Sequence, residues 1–517
     1  MSTHIGKVYL VGAGPGDKDL ISLKGAKLLS EADCIIHDAL VNPVLLQHAK
    51  PDAEIIFGGK KPRSHTMSQQ SLNELLIEKA KQGKKVVRLK GGDPFIFGRG
   101  GEEALALHKE GIFFEIVPGI SSVNSVPAYA GIPLTHRHLS SCYSVFTGRS
   151  NPDQAMPDYP WEAISQTPGT KVLLMCVERL KDIADELIRH GLSESTPAGM
   201  ISWGTYGKQK SVSGNIGNLS EIAIDAGITS PSIVVIGEVV TLRDSLNWFE
   251  RKPLFGKKVV VTRAQSRDCS LTGRLSELGA DILAVPVLRT DSTTRSRELV
   301  DSILGMGEYD WIVFTSVRGV DAFFEAFFKA YKDIRSIGNV RIAAVGPATA
   351  ARIENLHLTV DAMPEHYRAD QIKAAIQAHE SIENIRILLA RAEVANPELP
   401  RELEKDGAIV DDIACYRTIP ESRDPFGSCE NLQNEGADWL TFTSGSAVQH
   451  FHERFDLPDL LETYPKLKVA SIGPETSKSI KALNIEIQVE AHQHTGVGLA
   501  NAITEFELRS TDPDHSA

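Results

Sequence analysis

Hydrophobic and polar positions along the first part of the chain follow two different periods. Short apolar runs predict buried strands, and longer stretches with apolar residues three and four positions apart predict amphipathic helices. The predicted strands are 7–11, 34–37 and 85–89, and the predicted helices are 20–30 and 68–82. Because strands and helices alternate, we predict an α/β domain with a mostly parallel sheet.

The same alternation continues farther along the chain. The region 137–240 contains apolar runs at 172–176, 198–202 and 233–236. These runs predict the strands of a second α/β unit that packs on the first.

The pattern then breaks in a charged stretch that contains proline and glycine. We therefore predict a first domain at 1–245, with lobes at about 1–136 and 137–245, then a linker at 246–256 and a second region at 257–517. A linker this short joins the two regions closely and does not act as a long flexible tether.

The region after the linker contains an internal repeat. Three segments recur with a displacement of 127 or 128 residues: 259–264 as 387–392, 310–316 as 438–444, and 345–349 as 472–476. This period is longer than the repeats of solenoid proteins. It predicts two similar α/β domains with a cleft between them, which is a common place for a ligand.

The composition limits the classes of partner. The chain has 517 residues, which suggests three or four domains, and its 42% hydrophobic and 24% charged residues are ordinary for a globular protein. Lys and Arg number 55 against 67 Asp and Glu, a net charge of −12. This balance argues against nonspecific binding to nucleic acid or to a membrane surface. It still allows a local basic pocket for an anionic small molecule.

Targeting, cysteine and histidine patterns add three expectations. No apolar run approaches the ~20 residues that cross a bilayer, and the N-terminus shows no signal-peptide pattern. The six cysteines lie far apart and include no CxxC pair, so we expect neither a disulfide framework nor a thiolate zinc site. This predicts that the protein resides in a reducing cytoplasm. The HxH pairs at 136/138, 450/452 and 492/494 have no apparent third ligand, so we predict no metal site.

A glycine-rich turn follows the first predicted strand. Its sequence, Gly-Ala-Gly-Pro-Gly-Asp at 12–17, is not the dinucleotide fingerprint, because Asp17 occupies the place of the third glycine and Pro15 stiffens the turn. Two interpretations stay open. One is a tight strand-to-helix turn, and the other is a close approach of the backbone to a ligand that lacks pyrophosphate.

A second motif covers 87–103. Five glycines between 91 and 101 leave the backbone free to wrap a ligand. Asp93 offers hydrogen-bond acceptors, and Phe95 and Phe97 offer apolar faces. The same composition also fits a mobile loop.

Two more motifs complete a series of four. They are Val-Pro-Gly-Ile-Ser-Ser at 117–122 and Ala-Tyr-Ala-Gly-Ile-Pro-Leu-Thr-His-Arg at 128–137. In this order the four motifs resemble the uroporphyrinogen-III C-methyltransferase family, which has the tetrapyrrole methylase fold. The resemblance covers roughly 1–245. It implies that S-adenosyl-L-methionine binds between the two α/β lobes.

The resemblance assigns roles to particular residues by matched position. The proton acceptor would be Asp38, for which a turn or helix cap is the alternative, and the proton donor would be Lys60, for which a solvated charge is the alternative. The cofactor contacts would be Pro15, Gly91, Gly92, Asp93, Ile96, Ser121, Ser122, Met175 and Gly204.

The implied chemistry fits these residue types. An electron-rich pyrrole carbon attacks a sulfonium methyl group, and a proton must then leave the product, which calls for positioning and a base but for no metal. The substrate carries carboxylates, so basic side chains should line the cleft. The candidates are Lys60, Lys61, Arg63, Arg99 and Arg137.

The second region, about 256–517, resembles uroporphyrinogen-III synthases. The matching landmarks are Val-Thr-Arg at 261–263, Phe-Thr-Ser at 314–316 and 442–444, Val-Gly-Pro-Ala-Thr at 345–349, Tyr416 within 410–417, and Thr-Gly-Val-Gly-Leu at 495–499. The resemblance implies two flavodoxin-like domains that exchange segments, so the domain cut need not follow the repeat.

Folding and steering a reactive linear tetrapyrrole is mainly a task of positioning. The resemblance assigns Tyr416 to help remove the substrate hydroxyl, and the alternative is a buried aromatic residue with a hydrogen-bonded hydroxyl. Carboxylates of the substrate would be held by Thr315, Ser316, Thr443 and Ser444. Arg263, Arg318 and Arg391 could add charge or form ordinary salt bridges.

Together the two resemblances imply a bifunctional enzyme. The C-terminal half would cyclise hydroxymethylbilane to uroporphyrinogen III, and the N-terminal half would methylate that product at C2 and C7 to give precorrin-2, for sirohaem or cobalamin. The family suggests a homodimer through the methyltransferase half. The rival readings are a methylase of the same fold that acts on RNA or a protein side chain, and a C-terminal half that binds tetrapyrroles without catalysis.

Overall fold

The computed structural model describes residues 5–50, 52–59, 67–148, 158–262, 270–292, 296–365, 371–424 and 427–511. The chain divides into two compact units. The first unit is Met1–Val285 together with Asp424–Ala517, and the second unit is Pro286–Arg423. The chain therefore leaves the first unit after residue 285 and returns to it at 424.

The first unit begins with an all-parallel sheet, the first lobe, whose strands lie in the order β3-β2-β4-β1-β5. Its strands are β1 (Lys7–Gly12), β2 (Cys34–His37), β3 (Glu54–Phe57), β4 (Lys85–Lys90) and β5 (Phe114–Val117), and its helices are α1 (Leu23–Glu31), α2 (Gln69–Lys81), α3 (Gly100–Lys109) and α4 (Ser122–Tyr129).

Local sequence explains these boundaries. Ser22 and Ser68 accept hydrogen bonds from backbone N–H groups of the first turns of α1 and α2, which fixes where each helix begins. The interior strand β1 buries side chains on both faces, since the neighbouring residues Leu10 and Val11 are both fully buried, as expected for a parallel sheet covered by helices. The predicted α/β class and the parallel sheet are confirmed.

The second lobe has a different sheet, in the order β6-β7-β10-β8-β9. Only β6 and β7 are parallel, and the other pairings are antiparallel. Its strands are β6 (Tyr143–Thr147), β7 (Thr170–Leu174), β8 (Pro197–Ser202), β9 (Lys210–Asn215) and β10 (Ser232–Ile236), and its helices are α5 (Trp161–Gln166), α6 (Leu180–Arg189), α7 (Leu219–Asp225) and α8 (Arg243–Leu246).

Residues 246–256, predicted as a linker, are packed against the two lobes. The Trp248 indole N–H donates to a backbone carbonyl of α4 at 3.1 Å, and Phe249 is buried. The Glu250 carboxylate accepts hydrogen bonds from Gln209 at 2.8 Å and from Asn247 at 3.0 Å. The connection is therefore short and tightly held. The domain limits at 245 and 257 stay a proposal.

The rest of the first unit forms a third sheet, in the order β12-β11-β18-β19-β20. The elements of this part that precede the second unit in sequence are β11 (Lys258–Val261), α9 (Ser270–Glu277) and β12 (Asp281–Ala284). The elements added after the return are α15 (Ser428–Glu435), β18 (Trp439–Phe442), α16 (Gly445–Phe455), α17 (Leu457–Thr463), β19 (Lys468–Ser471), α18 (Pro474–Lys481), β20 (Val489–Glu490) and α19 (Gly496–Thr511).

The second unit is built around one sheet, in the order β13-β17-β16-β14-β15. Only the edge strand β13 is antiparallel to its neighbour. The elements are β13 (Leu288–Ser292), α10 (Arg297–Leu304), β14 (Trp311–Phe314), α11 (Val317–Ala330), β15 (Arg341–Ala344), α12 (Pro347–Glu354), α13 (Ile372–Gln377), β16 (Arg386–Ala392), α14 (Glu398–Lys405) and β17 (Ile409–Pro420).

The internal repeat is visible in the two C-terminal sheets, but each sheet mixes the two copies. Strands β12-β11-β18-β19 of one sheet correspond in order to β17-β16-β14-β15 of the other. Strands β11 and β12 come from the first sequence copy, and β18 and β19 come from the second. The exchange of segments implied by the resemblance is therefore present, and the domain cut does not follow the repeat.

Candidate active site

Three glycine-rich loops meet at the carboxyl ends of β1, β4 and β5. The Gly92 N–H donates to the Gly14 carbonyl at 2.7 Å, and the Gly14 N–H donates back to the Gly92 carbonyl at 3.3 Å. These bonds join the turn after β1 to the loop after β4. Of the two interpretations of the 12–17 motif, the structure shows more than a local turn, because this backbone is tied to a second candidate loop.

The loop after β5 approaches the same point so closely that only glycine fits. A Cβ atom placed on Gly119 would lie 2.2 Å from the Gly92 carbonyl oxygen and 2.7 Å from the Gly12 Cα. Such a distance is far below normal contact, so a side chain here would push the loops apart. The three strand ends therefore form one backbone cradle, as the carboxyl ends of neighbouring parallel strands allow.

Asp93 holds this cradle together. One carboxylate oxygen accepts from the Phe95 N–H at 2.8 Å, and the other accepts from the Gly119 N–H at 3.0 Å. Ser121 caps α4 by accepting from the Val123 N–H at 3.3 Å. A Cβ atom on Gly92 would lie 3.7 Å from the Ser122 N atom, so Ser121 and Ser122 lie beside the cradle.

The second lobe reaches the cradle through the loop after β8. A Cβ atom on Gly204 would lie 2.4 Å from the Val126 side chain of α4. The Asp17 N–H donates to the Thr205 hydroxyl at 2.9 Å. Gly204 and the turn that contains Pro15 are therefore neighbours.

Several non-glycine residues around this region have left-handed backbone conformations. Met175 has φ 55°, Trp203 has φ 49° and Thr205 has φ 72°. Such conformations are uncommon for bulky or β-branched residues and cluster at functional sites. Met175 and Ile96 each expose about half of their surface, 49% and 47%, which leaves apolar faces open to a ligand.

Asp38 follows β2, next to the end of β4. Its N–H donates to the Leu89 carbonyl at 3.2 Å, and its carboxylate pairs with the Arg88 guanidinium. The Asp38 side chain is 31% exposed. It is therefore held by Arg88 on its buried side and accessible to a ligand on its exposed side. The carboxylate is not seen capping a turn among the described residues.

Sequence reasoning missed the charged groups behind Asp38. Arg88, Lys90 and Glu103 are all buried, and Glu103 accepts from Lys90 at 2.7 Å and from Arg88 at 3.2 Å. Burial and the neighbouring Arg88 charge lower the pKa of Lys90, while Glu103 and Asp38 oppose that effect. A signal was available, because the strand 85–90 carries three cations, and Arg88 interrupts its apolar run.

The predicted basic residues lie in different settings. Arg99 is exposed and forms a two-pronged pair with Glu102 at 2.7 and 2.9 Å, which raises the pKa of Arg99. Arg137 is exposed and forms no ion pair among the described residues. Lys60, Lys61 and Arg63 lie outside the described residues.

In the second unit, two of the predicted synthase residues are in contact. The hydroxyl groups of Tyr416 and Ser316 lie 3.1 Å apart, and Tyr416 is buried. Ser316 also caps α11 by accepting from the Gly319 N–H at 3.1 Å. Thr315 precedes it and is half-buried. A buried tyrosine with a hydrogen-bonded hydroxyl is the alternative raised for Tyr416, and this geometry fits that alternative and a catalytic role alike.

The corresponding residues of the other sequence copy lie in the first unit. Ser444 caps α16 by accepting from the Ala447 N–H at 3.2 Å, and its hydroxyl lies 3.1 Å from that of Ser446. Thr443 is half-buried.

The arginines suggested for the C-terminal half are engaged in other contacts or lie outside the described residues. Arg391 is buried and pairs with Asp412, and it also donates to the Asn396 carbonyl at 2.7 Å. Arg318 donates to Thr290. Arg263 lies outside the described residues.

Comparison with known proteins identifies both halves. Residues 7–220 match the family of tetrapyrrole (corrin/porphyrin) methylases, and residues 270–501 match the family of uroporphyrinogen-III synthase HemD. A porphyrin biosynthesis protein HemD from Ruminiclostridium josui is 34% identical over 94% of this chain and 95% of its own length. The chain belongs to the tetrapyrrole methylase and uroporphyrinogen-III synthase families.

Two further relatives concern the methylase half. An S-adenosyl-L-methionine-dependent uroporphyrinogen III methyltransferase from Methanosarcina barkeri is 46% identical over 48% of this chain and 96% of its own length. A crystal structure of uroporphyrin-III C-methyl transferase from Thermus thermophilus complexed with S-adenyl homocysteine is 38% identical, with a TM-score of 0.40 over 46% of this chain and all of that chain.

The chain is thus a bifunctional enzyme of tetrapyrrole biosynthesis, with a methylase half and a synthase half in one polypeptide. In the described part of the chain, no group of three or more His, Cys, Asp or Glu side chains is placed to hold a metal ion. No described helix has both the length and the apolar character that a membrane span requires.

Proposed function

We propose that the synthase half converts hydroxymethylbilane to uroporphyrinogen III and that the methylase half transfers two methyl groups to it, at C2 and C7, to give precorrin-2. One observation carries the methylase part. The backbone cradle of Gly14, Gly92 and Gly119 lies at the same edge of the sheet as the partly exposed carboxylate of Asp38. This arrangement supports the proposal, because a cofactor bound in the cradle would lie at the same sheet edge as a candidate base.

S-adenosyl-L-methionine fits the cradle as methyl donor. The close approach of Gly12, Gly92 and Gly119 leaves backbone groups, not side chains, to face a ligand, and the open apolar surfaces of Ile96 and Met175 suit a flat or aliphatic group. When bound, the cofactor supplies an electrophilic methyl group. The residues that would hold it are Pro15, Gly91, Gly92, Asp93, Ile96, Ser121, Ser122, Met175 and Gly204.

Asp38 would act after methyl transfer. Methyl transfer leaves a positive charge on the macrocycle, and the methylated carbon, which already carried a side chain, has no proton to lose. A proton must therefore leave a neighbouring position of the macrocycle, and the exposed oxygen of Asp38 can accept it. The pairing with Arg88 keeps the carboxylate in one orientation. Lys60 is proposed as the proton donor on the basis of its matched position.

Basic side chains would receive the substrate carboxylates. Arg137 is exposed, and Arg99 can exchange its partner Glu102 for a substrate carboxylate with the same two-pronged geometry. Arg63 is proposed for the same role from its position in the sequence.

The synthase half would work mainly by positioning. The paired hydroxyls of Tyr416 and Ser316 can donate to a leaving hydroxyl group or to a carboxylate. Thr315, Thr443 and Ser444 are proposed as further donors to substrate carboxylates. None of these side chains carries a charge, which suits a reaction in which steering matters more than proton abstraction.

Two assays test these assignments separately. Purified protein is incubated with methyl-labelled S-adenosyl-L-methionine and either uroporphyrinogen III or total RNA, and we expect label in the tetrapyrrole alone. Label in RNA, or in neither substrate, would contradict the proposal that uroporphyrinogen III is the methyl acceptor.

In the second assay the protein receives hydroxymethylbilane, and the isomers are separated after oxidation. We expect the type III isomer. If only the type I isomer of spontaneous closure appears, the synthase half binds tetrapyrroles without catalysing the cyclisation.

Two further proposals follow from the family and not from the geometry. They are a homodimer through the methylase half and a cytoplasmic location. Sedimentation of the purified protein tests the first, and fractionation of the source cells tests the second.

A further inference from the structure

A chain of four charged side chains runs through the first lobe, from the core to the candidate active site. It begins at Lys90 and Glu103, continues through Arg88, and ends at the carboxylate of Asp38. Lys90 and Arg88 are each 2% exposed and Glu103 is 0% exposed, whereas the Asp38 side chain is 31% exposed. The chain therefore has one buried end and one open end.

The sheet register explains how these groups meet. Strand β2 pairs with β4 so that Ile36 lies opposite Arg88, and Asp38 follows two residues after Ile36. Side chains two positions apart on a strand share a face, so Arg88 and Lys90 emerge on the same side of β4. Glu103, from the first turn of α3, meets both cations there.

Burying such groups costs free energy, and an apolar set of the same volume is often as stable or more stable. The packing here is also incomplete, because Glu103 Oε2 has no hydrogen-bond partner among the described residues. The two cations and two carboxylates balance in charge. The network is neutral overall but costs free energy to bury, and it reaches the surface only through the Asp38 carboxylate. This suggests that the network serves a role of Asp38.

The geometry of Arg88 suits that role. Its Nε donates to Glu103 at 3.2 Å, while its Nη2 contacts Asp38, so one guanidinium joins the two carboxylates. Because the guanidinium is planar and rigid, its contact with the buried Glu103 also fixes the orientation of the Asp38 carboxylate. A lysine at this position would have one nitrogen and could not contact both carboxylates with the same orientation.

We propose that Arg88 is a positioning residue for methyl transfer, which holds the Asp38 carboxylate in the orientation that accepts the proton, and that Glu103 and Lys90 anchor Arg88 from the core. This inference rests on the proposed function, in which Asp38 is the base. It adds three residues that are at most 2% exposed, so they would act through Asp38 and not by contact with the cofactor or the substrate.

A double-mutant cycle tests the proposal in the full-length protein. The variants are Asp38→Asn, Arg88→Met and the two combined, and the readouts are the single-turnover rate of methyl transfer to uroporphyrinogen III and the affinity for S-adenosylhomocysteine. We expect each single variant to slow the chemical step, by about 100-fold or more for Asp38→Asn and about 30-fold for Arg88→Met. Affinity should change by no more than about threefold.

The decisive result is the combined variant. If Arg88 acts through Asp38, the double variant is as slow as Asp38→Asn alone, because the group that Arg88 positions is already lost. If the two effects multiply, Arg88 acts independently of Asp38 and the proposal is wrong. An Arg88→Met rate equal to that of the wild type also overturns it.

Two further variants guard against a folding artefact. Lys85→Met removes a cation from the other end of β4, where Lys85 pairs with Glu31 at the surface, and should leave the rate unchanged. Arg88→Lys keeps the buried charge without the fork, and should fold yet lose about tenfold in rate. If circular dichroism shows Arg88→Met to be unfolded, Arg88→Lys with and without Asp38→Asn replaces it in the cycle, with the same two outcomes.

Failure of the proposed function has a different signature. If the wild type transfers no methyl group to uroporphyrinogen III, the assigned reaction is wrong, and this inference falls with it. If the wild type is active and Asp38→Asn is equally active, methyl transfer stands, and only the base and its positioning network are overturned.

Discussion

The methylase half and the synthase half place their candidate residues in different ways. In the methylase half, the candidates stand on loops from neighbouring strands, joined by direct backbone contacts and backed by buried ion pairs. In the synthase half, the described candidates are neutral hydroxyls, with Ser316 and Tyr416 in one unit and Thr443 and Ser444 in the other. The contrast follows the chemistry, since methyl transfer leaves a proton to remove and ring closure needs mainly steering.

The scaffold of the synthase half is nevertheless highly regular. Trp311 and Trp439 are equivalent residues of the repeat, and each is fully buried with its indole N–H bonded to a glutamate, Glu380 at 2.6 Å or Glu507 at 2.9 Å. The serines after these strands cap equivalent helices. The copies differ at the candidate site, because among the described residues Ser316 has a tyrosine hydroxyl beside it, whereas Ser444 has the hydroxyl of Ser446. The two copies thus share the framework, whereas the surroundings of their candidate hydroxyls differ.

The largest expected effect comes from Asp38→Asn. Removing the proposed base should slow methyl transfer by about 100- to 10,000-fold, since general base catalysis has that range. The synthase reaction of the same protein is the internal control, and it should be unchanged. A fall in both activities would show that the variant damages the fold and not the site.

The second effect concerns the backbone cradle. Gly119→Ala places a Cβ atom 2.2 Å from the Gly92 carbonyl oxygen, so the loops must separate. We expect the affinity for S-adenosylhomocysteine, measured by calorimetry, to fall about tenfold or more, as for an overpacked site.

The matched control for the cradle is Gly101→Ala. A Cβ atom at Gly101 has no neighbour within 4 Å, and alanine favours the helix in which Gly101 lies. Equal losses of affinity for S-adenosylhomocysteine in Gly119→Ala and Gly101→Ala would contradict the proposal that the cradle binds the cofactor.

A smaller effect is expected from Tyr416→Phe in the synthase half. Loss of the hydroxyl removes one donor next to Ser316, and we expect type III isomer formation to slow by about 3- to 10-fold, the value of one hydrogen bond. Methyl transfer to supplied uroporphyrinogen III should not change. A loss as large as that of Asp38→Asn would show that the two halves do not differ in the way proposed.

The smallest effect concerns stability and not activity. Burial raises the pKa of Glu507, but hydrogen bonds from Lys257, Lys468 and Trp439 outweigh it and lower the pKa overall. A lowered folded-state pKa stabilises the protein above the unfolded-state value, near pH 4.3, and that contribution is lost as the pH falls through the folded-state value. Glu507→Gln should therefore lower the free energy of unfolding by about 1–2 kcal/mol at pH 7.

The difference between Glu507→Gln and the wild type should shrink as the pH falls below about 4 in denaturant titrations. Glu505 is exposed on the same helix and provides the matched control, Glu505→Gln, which should match the wild type at both pH values. A constant difference across pH would mean that the charge of Glu507 does not contribute.

Much of the methylase site could be predicted from the sequence because parallel strands end at a common edge. Once 7–11 and 85–89 were recognised as strands, the turns after them could be expected at the same edge of the sheet, and the structure joins Gly14 to Gly92 there. The antiparallel pairings of the second lobe could not be predicted, because short apolar runs such as 198–202 carry no direction. The exchange between repeat copies was likewise invisible in the spacing of 127 or 128 residues, which is the same for either cut.

Sequence reasoning failed where charges are buried. Arg88 and Lys90 lie near the carboxyl end of the strand predicted at 85–89, where a cation is usually solvated. Their burial depends on Glu103, which arrives from a helix thirteen residues after Lys90 in sequence. Only the packed structure shows that these groups and Asp38 form one network.

The central claim is that one chain performs both reactions. The direct measurement is mass spectrometry of the product after the full-length protein is given hydroxymethylbilane and S-adenosyl-L-methionine, with Asp38→Asn in parallel. We predict a doubly methylated type III product from the wild type and unmethylated uroporphyrinogen III from Asp38→Asn. Type I uroporphyrinogen as the main product of the wild type, or the absence of any methylated tetrapyrrole, would contradict the account.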